Sequence, residues 1–163
     1  NKIRAALRRA HAKLRMELSE RLSLEASRVF STLNPYGVYN GINIRVDVER
    51  RESGRYLLLV KRKEDGGLVS FDTRLSDGQK LLVALSLFLA AVRLKRHSLS
   101  LLILDEAAPT VGEEAKRSLV DMLRERLEGV QAILATQSIL LEKAVKGVTI
   151  HYIMNRKLVS SPP

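Results

Sequence analysis

Four consecutive apolar residues, Leu101–Leu104, run without a break into two carboxylates, Asp105 and Glu106. A strand without inside–outside alternation is expected to be buried on both faces, as in a parallel sheet covered by helices. The strand expected over Leu99–Leu104, with almost no alternation, therefore commits the second half of the chain to an α/β layer. It also puts the two acids at the carboxyl tip of the strand, the edge where open α/β sheets hold their ligands. The neighbouring segments fit. A helix is predicted over 79–95, after a polar turn at Ser76-Asp77-Gly78. Glu113–Leu127 reads as a helix with Leu119, Met122, Leu123 and Leu127 on one face. A short apolar strand is expected at Gln131–Ala135, then a helix at Ser138–Val145 with Ser138 as its N-cap. Val148–Met154 reads as a strand that Leu158–Val159 can pair with, and 160–163 as a tail. The order is β-α-β-α-β.

The first half is different. Apolar residues at Ile3, Leu7, Ala10, Leu14, Leu18, Leu22, Ala26 and Val29 recur in steps of three and four, so residues 1–33 are predicted as one long helix. Ile3–Leu7–Ala10–Leu14 fits a heptad seam, and the later steps of four drift from it. On pattern alone an amphipathic helix lying on the domain is slightly favoured over a coiled-coil stub. Asn34-Pro35-Tyr36-Gly37 stops it. Ile42, Ile44, Val46 and Val48 alternate with polar residues, and Tyr56–Arg62 follows after the turn Glu52-Ser53-Gly54, so a hairpin is expected. A third short strand is expected at Leu68–Phe71.

Composition narrows the function classes. With 163 residues, one domain is expected. The absence of cysteine excludes disulfides and cysteine-based metal or redox sites, and fits a reducing cytosol. Leu81–Val92 is too short to span a bilayer, and 1–9 lack the apolar core of a secretory signal. The first residue is not Met, as in a fragment or a processed chain. The net charge of +10 attracts polyanions, and residues 1–28 carry eight Lys or Arg against three Glu. A solvated basic face with no specific partner explains that charge equally well.

Three short motifs carry chemistry. Asp105 at a strand tip is suited to hold Mg²⁺, directly or through water, and Glu106 to orient and polarise an attacking water. In Ser76-Asp77-Gly78-Gln79, Ser76 offers a hydroxyl, Gly78 lets a backbone N–H approach an anion, and the helix that follows directs its positive end there. Ala135-Thr136-Gln137-Ser138 closes the next strand. Each also has an ordinary structural role: acids capping a loop, a capped helix start with Ser76 or Asp77 as N-cap, and a plain strand-to-helix connection.

Their order and spacing go further. Asp105 lies 29 residues after Ser76, and Gln137 lies 31 residues after Glu106. Leu75-Ser76-Asp77-Gly78-Gln79 resembles the LSGGQ signature of ABC-type ATPases. The run from Leu101 to Glu106 resembles Walker B with its catalytic glutamate. The segment Ile133–Ser138 resembles the switch loop. With the preceding long helix and hairpin, the chain is similar to the C-terminal lobe of SMC-like ATPase heads, especially the double-strand-break-repair branch, over about residues 1–160.

The resemblance implies an α/β (α+β) lobe: residues 1–33 as the root of a returning coiled-coil arm, and 34–160 as the C-terminal half of a head. No GxxxxGK[ST] loop occurs in the chain. In the family that loop lies on an N-terminal Walker A lobe, so this chain would be half a head. The cofactors implied are ATP and Mg²⁺. Ser76, Gly78 and Gln79 would touch ATP held by a second head, while Asp105 (metal), Glu106 and Gln137 (catalysis) would act on the nucleotide of their own head. Implied partners are the Walker A lobe, a second head in an ATP-dependent dimer, DNA, and a nuclease at the coiled-coil root, with no membrane role and a cytoplasmic, nucleoid-associated location. The basic residues Arg4, Arg8, Arg9, Lys13 and Arg15 would meet DNA phosphates near the arm root. Three departures weigh against fast turnover: Asp77 replaces a signature glycine, Gln137 stands in place of the switch histidine, and Ala107, Ala108 and Gly112 alter the loop after Glu106. The rival expectation is a nucleotide-gated dimerisation module with little hydrolysis, serving assembly or cytoskeletal organisation.

Overall fold

The structure, a computed structural model, describes residues 2–47, 55–95, 101–107, 110–126, 129–137, 149–154 and 157–159. The helix expected at Ser138–Val145, the hairpin turn at 52–54 and the tail at 160–163 lie outside the described residues.

The chain opens with α1 (Lys2–Leu33), as its three- and four-residue periodicity predicts. Its two halves behave differently. From Ser19 onward it carries buried residues, among them Ala26, Val29, Phe30 and Leu33. Before Ser19 none is buried: Ile3 is 79% exposed and Leu7 58%. The heptad seam therefore projects from the lobe uncovered, and only the second half of the helix lies on the domain.

α1 is followed by β1 (Tyr39–Asp47), β2 (Arg55–Arg62) and β3 (Leu68–Ser70), an antiparallel sheet in that order. Ile42 faces Val60 and Ile44 faces Leu58. Ile42 and Val60 are buried, as the alternating pattern requires. The third strand is one residue shorter than expected. Phe71 leaves it to begin α2 (Phe71–Arg74), where Asp72 sits in a favourable first-turn position and the Phe71 ring packs against the core.

β1 is an edge strand, and α1 covers its outer edge. The Ile42 N–H donates to Ser27 Oγ at 2.9 Å, and the Ile44 N–H donates to Ser23 Oγ at 2.8 Å. The hydroxyls in turn donate to backbone carbonyls: Ser23 to Ser19 at 2.7 Å, and Ser27 to Ser23 at 2.7 Å or to Ile42 at 3.0 Å.

α3 (Asp77–Leu94) packs along the other side of α1, burying Leu82, Val83, Leu89 and Ala90. Across this contact the half-exposed Arg93 lies 2.6 Å from the buried Glu25 carboxylate, which Arg28 also reaches at 3.3 Å. β4 (Leu101–Asp105) and β5 (Gln131–Ala135) form a parallel pair joined through α4 (Glu113–Arg126), whose Leu119, Met122 and Leu123 are buried.

Two expectations need correction. β4 is buried on one face alone: Leu102 and Leu104 are inside, while Ile103 is 64% exposed. With Leu101 and the 48%-exposed Ile133 it forms an open apolar face. The unbroken apolar run predicted burial on both faces, but the described lobe covers one face only. The parallel layer also stops at two strands among the described residues. β6 (Tyr152–Met154) pairs antiparallel with β7 (Lys157–Val159) as a separate hairpin.

Candidate functional site

The register of the parallel pair, Leu101 opposite Gln131 through Asp105 opposite Ala135, brings two sequence motifs to one edge. The Glu106 N–H donates to the Ala135 carbonyl at 2.9 Å, carrying the ladder one residue past the strand. There the backbone turns sharply. Glu106 has φ of 42°, the one non-glycine in the left-handed region among the described residues. That conformation costs about 1–2 kcal/mol and needs support from its surroundings. The support comes from the loop after β5: the Gln137 N–H donates to Glu106 Oε2 at 3.0 Å, and Thr136 Oγ1 lies 3.5 Å from Oε1. The Glu106 carboxylate is thus drawn toward the loop after β5, beside the exposed Asp105.

Asp105, Glu106 and Gln137 are therefore brought together as the motif order suggests. It is the Gln137 backbone amide, rather than its side chain, that holds Glu106. No residue type at position 137 could have signalled this, since every residue except proline offers that N–H.

The turn before α3 is a second, separately built element. Ser76 is the N-cap: its Oγ accepts from the Gln79 N–H at 3.3 Å, and its own N–H donates to Gln79 Oε1 at 3.0 Å. This reciprocal capping box fixes Ser76 and Gln79 at the positive end of the helix. The capping bond uses Ser76 Oγ as an acceptor, so the hydroxyl proton stays available to an anion. Asp77 lies exposed in the first turn. A Cβ at Gly78 would sit 3.3 Å from the Thr110 carbonyl oxygen, so the loop after β4 passes directly against this turn. The same loop is held at Gly112, whose N–H donates to Tyr36 Oη at 3.3 Å. Tyr36 carried no signal in the sequence beyond its place in a turn.

Of the basic residues expected to meet DNA, Arg4, Arg8, Arg9 and Lys13 are exposed on the projecting half of α1, and Arg15 is half-buried. Lys13 lies 3.8 Å from Glu17. Among the described residues no three His, Asp or Glu side chains are grouped as a closed metal site. Asp105 and Glu106 fit Mg²⁺ nonetheless, because that ion is commonly held by one or two carboxylates, with water and phosphate oxygens completing its shell. No helix among the described residues is long and apolar enough to cross a membrane.

No protein-family model matches the chain. It is 32% identical over 110 residues to the DNA double-strand break repair Rad50 ATPase of Thermococcus kodakarensis, across 67% of this chain and 11% of that protein. It is 29% identical over 136 residues to Arcadin-4 of Pyrobaculum calidifontis, across 83% of this chain and 16% of that protein. The chain thus spans less than a fifth of the length of either relative. A solved structure from work on ATP-driven dimerisation and DNA-stimulated activation of SMC ATPases superimposes with a TM-score of 0.68 at 20% identity, covering 92% of this chain and 89% of that one. With its parallel pair, antiparallel sheet and long α1, the chain has the architecture of the C-terminal lobe of an SMC-like ATPase head.

Proposed function

We propose that this lobe completes a head that binds and hydrolyses ATP between two such heads. The observation that carries this reading is the Glu106 carboxylate, held 3.0 Å from the Gln137 amide beside Asp105 at the tips of paired strands. Asp105 would hold Mg²⁺ together with the nucleotide's own oxygens, and the bound ion would neutralise phosphate charge. Glu106 would orient a water and accept its proton. Gln137 would add a neutral hydrogen-bonding side chain. Ser76, Gly78 and Gln79, at the positive end of α3, would contact the terminal phosphate of a nucleotide held by the second head.

The open apolar face around Ile103 and Ile133 supports docking of a Walker A lobe, because parallel sheets are covered on both sides. The bare seam at Ile3 and Leu7 supports a coiled-coil arm. Arg4, Arg8, Arg9, Lys13 and Arg15 on that arm would take DNA phosphates. By likeness to the repair ATPase, the work is double-strand-break repair or chromosome organisation in the cytoplasm, with a nuclease at the arm root.

The test is Glu106→Gln in the full-length protein. ATP turnover is expected to fall by about 100-fold or more, the range for losing a general base, while ATP-dependent dimerisation persists. Undiminished turnover would remove Glu106 from the chemistry.

A second reading is an ATP-gated clamp with little hydrolysis. One observation favours it: both Glu106 oxygens have neighbours on the β5 loop. Each oxygen keeps a second lone pair, so these contacts narrow the directions from which a water can approach without blocking it. Dimerisation with ATP but negligible turnover in the wild type would select this reading.

A further inference from the structure

We propose that Tyr36 is a positioning residue that links the end of α1 to the turn before α3. The proposal rests on the head reading above.

The turn after α1 is fixed by its own hydrogen bonds. The Asn34 N–H donates to the Phe30 carbonyl at 2.9 Å, ending the helix. Asn34 Nδ2 donates to the Tyr39 carbonyl at 2.9 Å, and Asn34 Oδ1 accepts from the Tyr36 N–H at 3.3 Å. Gly37, with φ of 68°, closes the turn. Tyr36 is thus placed by backbone geometry rather than by burial, since its side chain is exposed. From there its hydroxyl reaches Gly112.

Gly112 immediately precedes α4, and its carbonyl accepts from the Lys116 N–H at 3.2 Å. Two residues earlier, the Thr110 carbonyl lies against Gly78. Two glycines lie close against the loop and its surroundings. A Cβ at Gly78 would meet the Thr110 oxygen at 3.3 Å, and one at Gly112 would meet Tyr36 Oη at 3.3 Å. Thr110 and Gly112 are two residues apart, so a shift of the loop at one is passed in part to the other. Tyr36 therefore helps set where Thr110 presses on the turn that holds Ser76 and Gly78. The direction in which α1 leaves the head and the placement of that turn become coupled.

A single exposed hydroxyl contributes little to stability, so its loss is expected in function rather than in folding. In the full-length protein, Tyr36→Phe should leave the melting temperature and the ATP concentration for half-maximal turnover unchanged. Maximal turnover and the ATP-dependent dimerisation constant should each fall about fivefold, the equivalent of one hydrogen bond of about 1 kcal/mol. Gly112→Ala, which crowds the same oxygen, should do likewise, and the double variant should be no worse than either single one. If Tyr36→Phe fails to fold, Gly112→Ala carries the test with the tyrosine intact. Wild-type behaviour of the folded variants, or additive losses in the double variant, overturns the proposal while leaving the head reading in place. A wild-type protein that neither dimerises with ATP nor hydrolyses it removes the head reading, and this proposal with it.

Discussion

Asp77 experiences two opposing effects. In the first turn of α3 its carboxylate is favoured by the helix dipole, an effect of about 0.3–1 kcal/mol at an exposed site. Facing a polyphosphate, the same charge is repelled. Asp77→Asn is therefore expected to lower stability by about 0.5 kcal/mol at low salt and to tighten ATP-dependent dimerisation of the full-length protein. Urea midpoints and sedimentation would measure the two effects. If stability and dimerisation weaken together, the charge does not face the phosphate. At this scale the sequence was only partly legible. A capped helix start was readable with Ser76 or Asp77 as N-cap, and the structure gives the cap to Ser76 in a box with Gln79. The left-handed φ of Glu106 was not readable, because it comes from contacts with the loop after β5, a strand whose register no local pattern encodes.

The joint between α1 and β1 depends on matched repeats. Four residues of helix advance about 6 Å, and two residues of strand advance about 6.6–6.8 Å. Ser23 and Ser27 can therefore meet Ile44 and Ile42 in step. Ser23→Ala would leave the Ile44 N–H without its partner, and a loss of about 1–3 kcal/mol is expected in denaturant unfolding. An unchanged midpoint would mean that water replaces the hydroxyl. The serine spacing stands in the sequence, but a serine at every fourth position of a helix reads equally well as a solvated stripe. What was legible were the elements with strong periodicity or strong stops: α1, the β1–β2 hairpin, α3 and β5. The open face of β4 was hidden, because Leu101–Leu104 records an environment that the described lobe only half provides. Phe71 read as a strand residue because a lone aromatic cannot distinguish a strand's last position from a helix's first.

The projecting half of α1 gives the molecule its reach, and its charge predicts how it would meet a polyanion. Arg4, Arg8 and Arg15 fall on one stripe of the helix, with Arg9 and Lys13 on a second one about 140° around it. If four or five of these five residues neutralise phosphates, the logarithm of DNA affinity for the full-length protein should fall with the logarithm of salt at a slope of about −4. The loss between 50 and 200 mM salt would be on the order of a few hundredfold. A salt titration of duplex binding measures it, and an affinity indifferent to salt would place DNA elsewhere. The same arm also sets how a pull would enter the lobe. Ser23 and Ser27 grip β1 along the strand and in antiparallel sense, the lower-numbered serine meeting the higher-numbered isoleucine. Tension along the helix axis therefore loads both grips at once, in shear. They would have to fail together, whereas a helix peeled sideways would lose them singly. The joint resists an axial tug and yields to a sideways bend, so the angle of a load on the arm matters as much as its size.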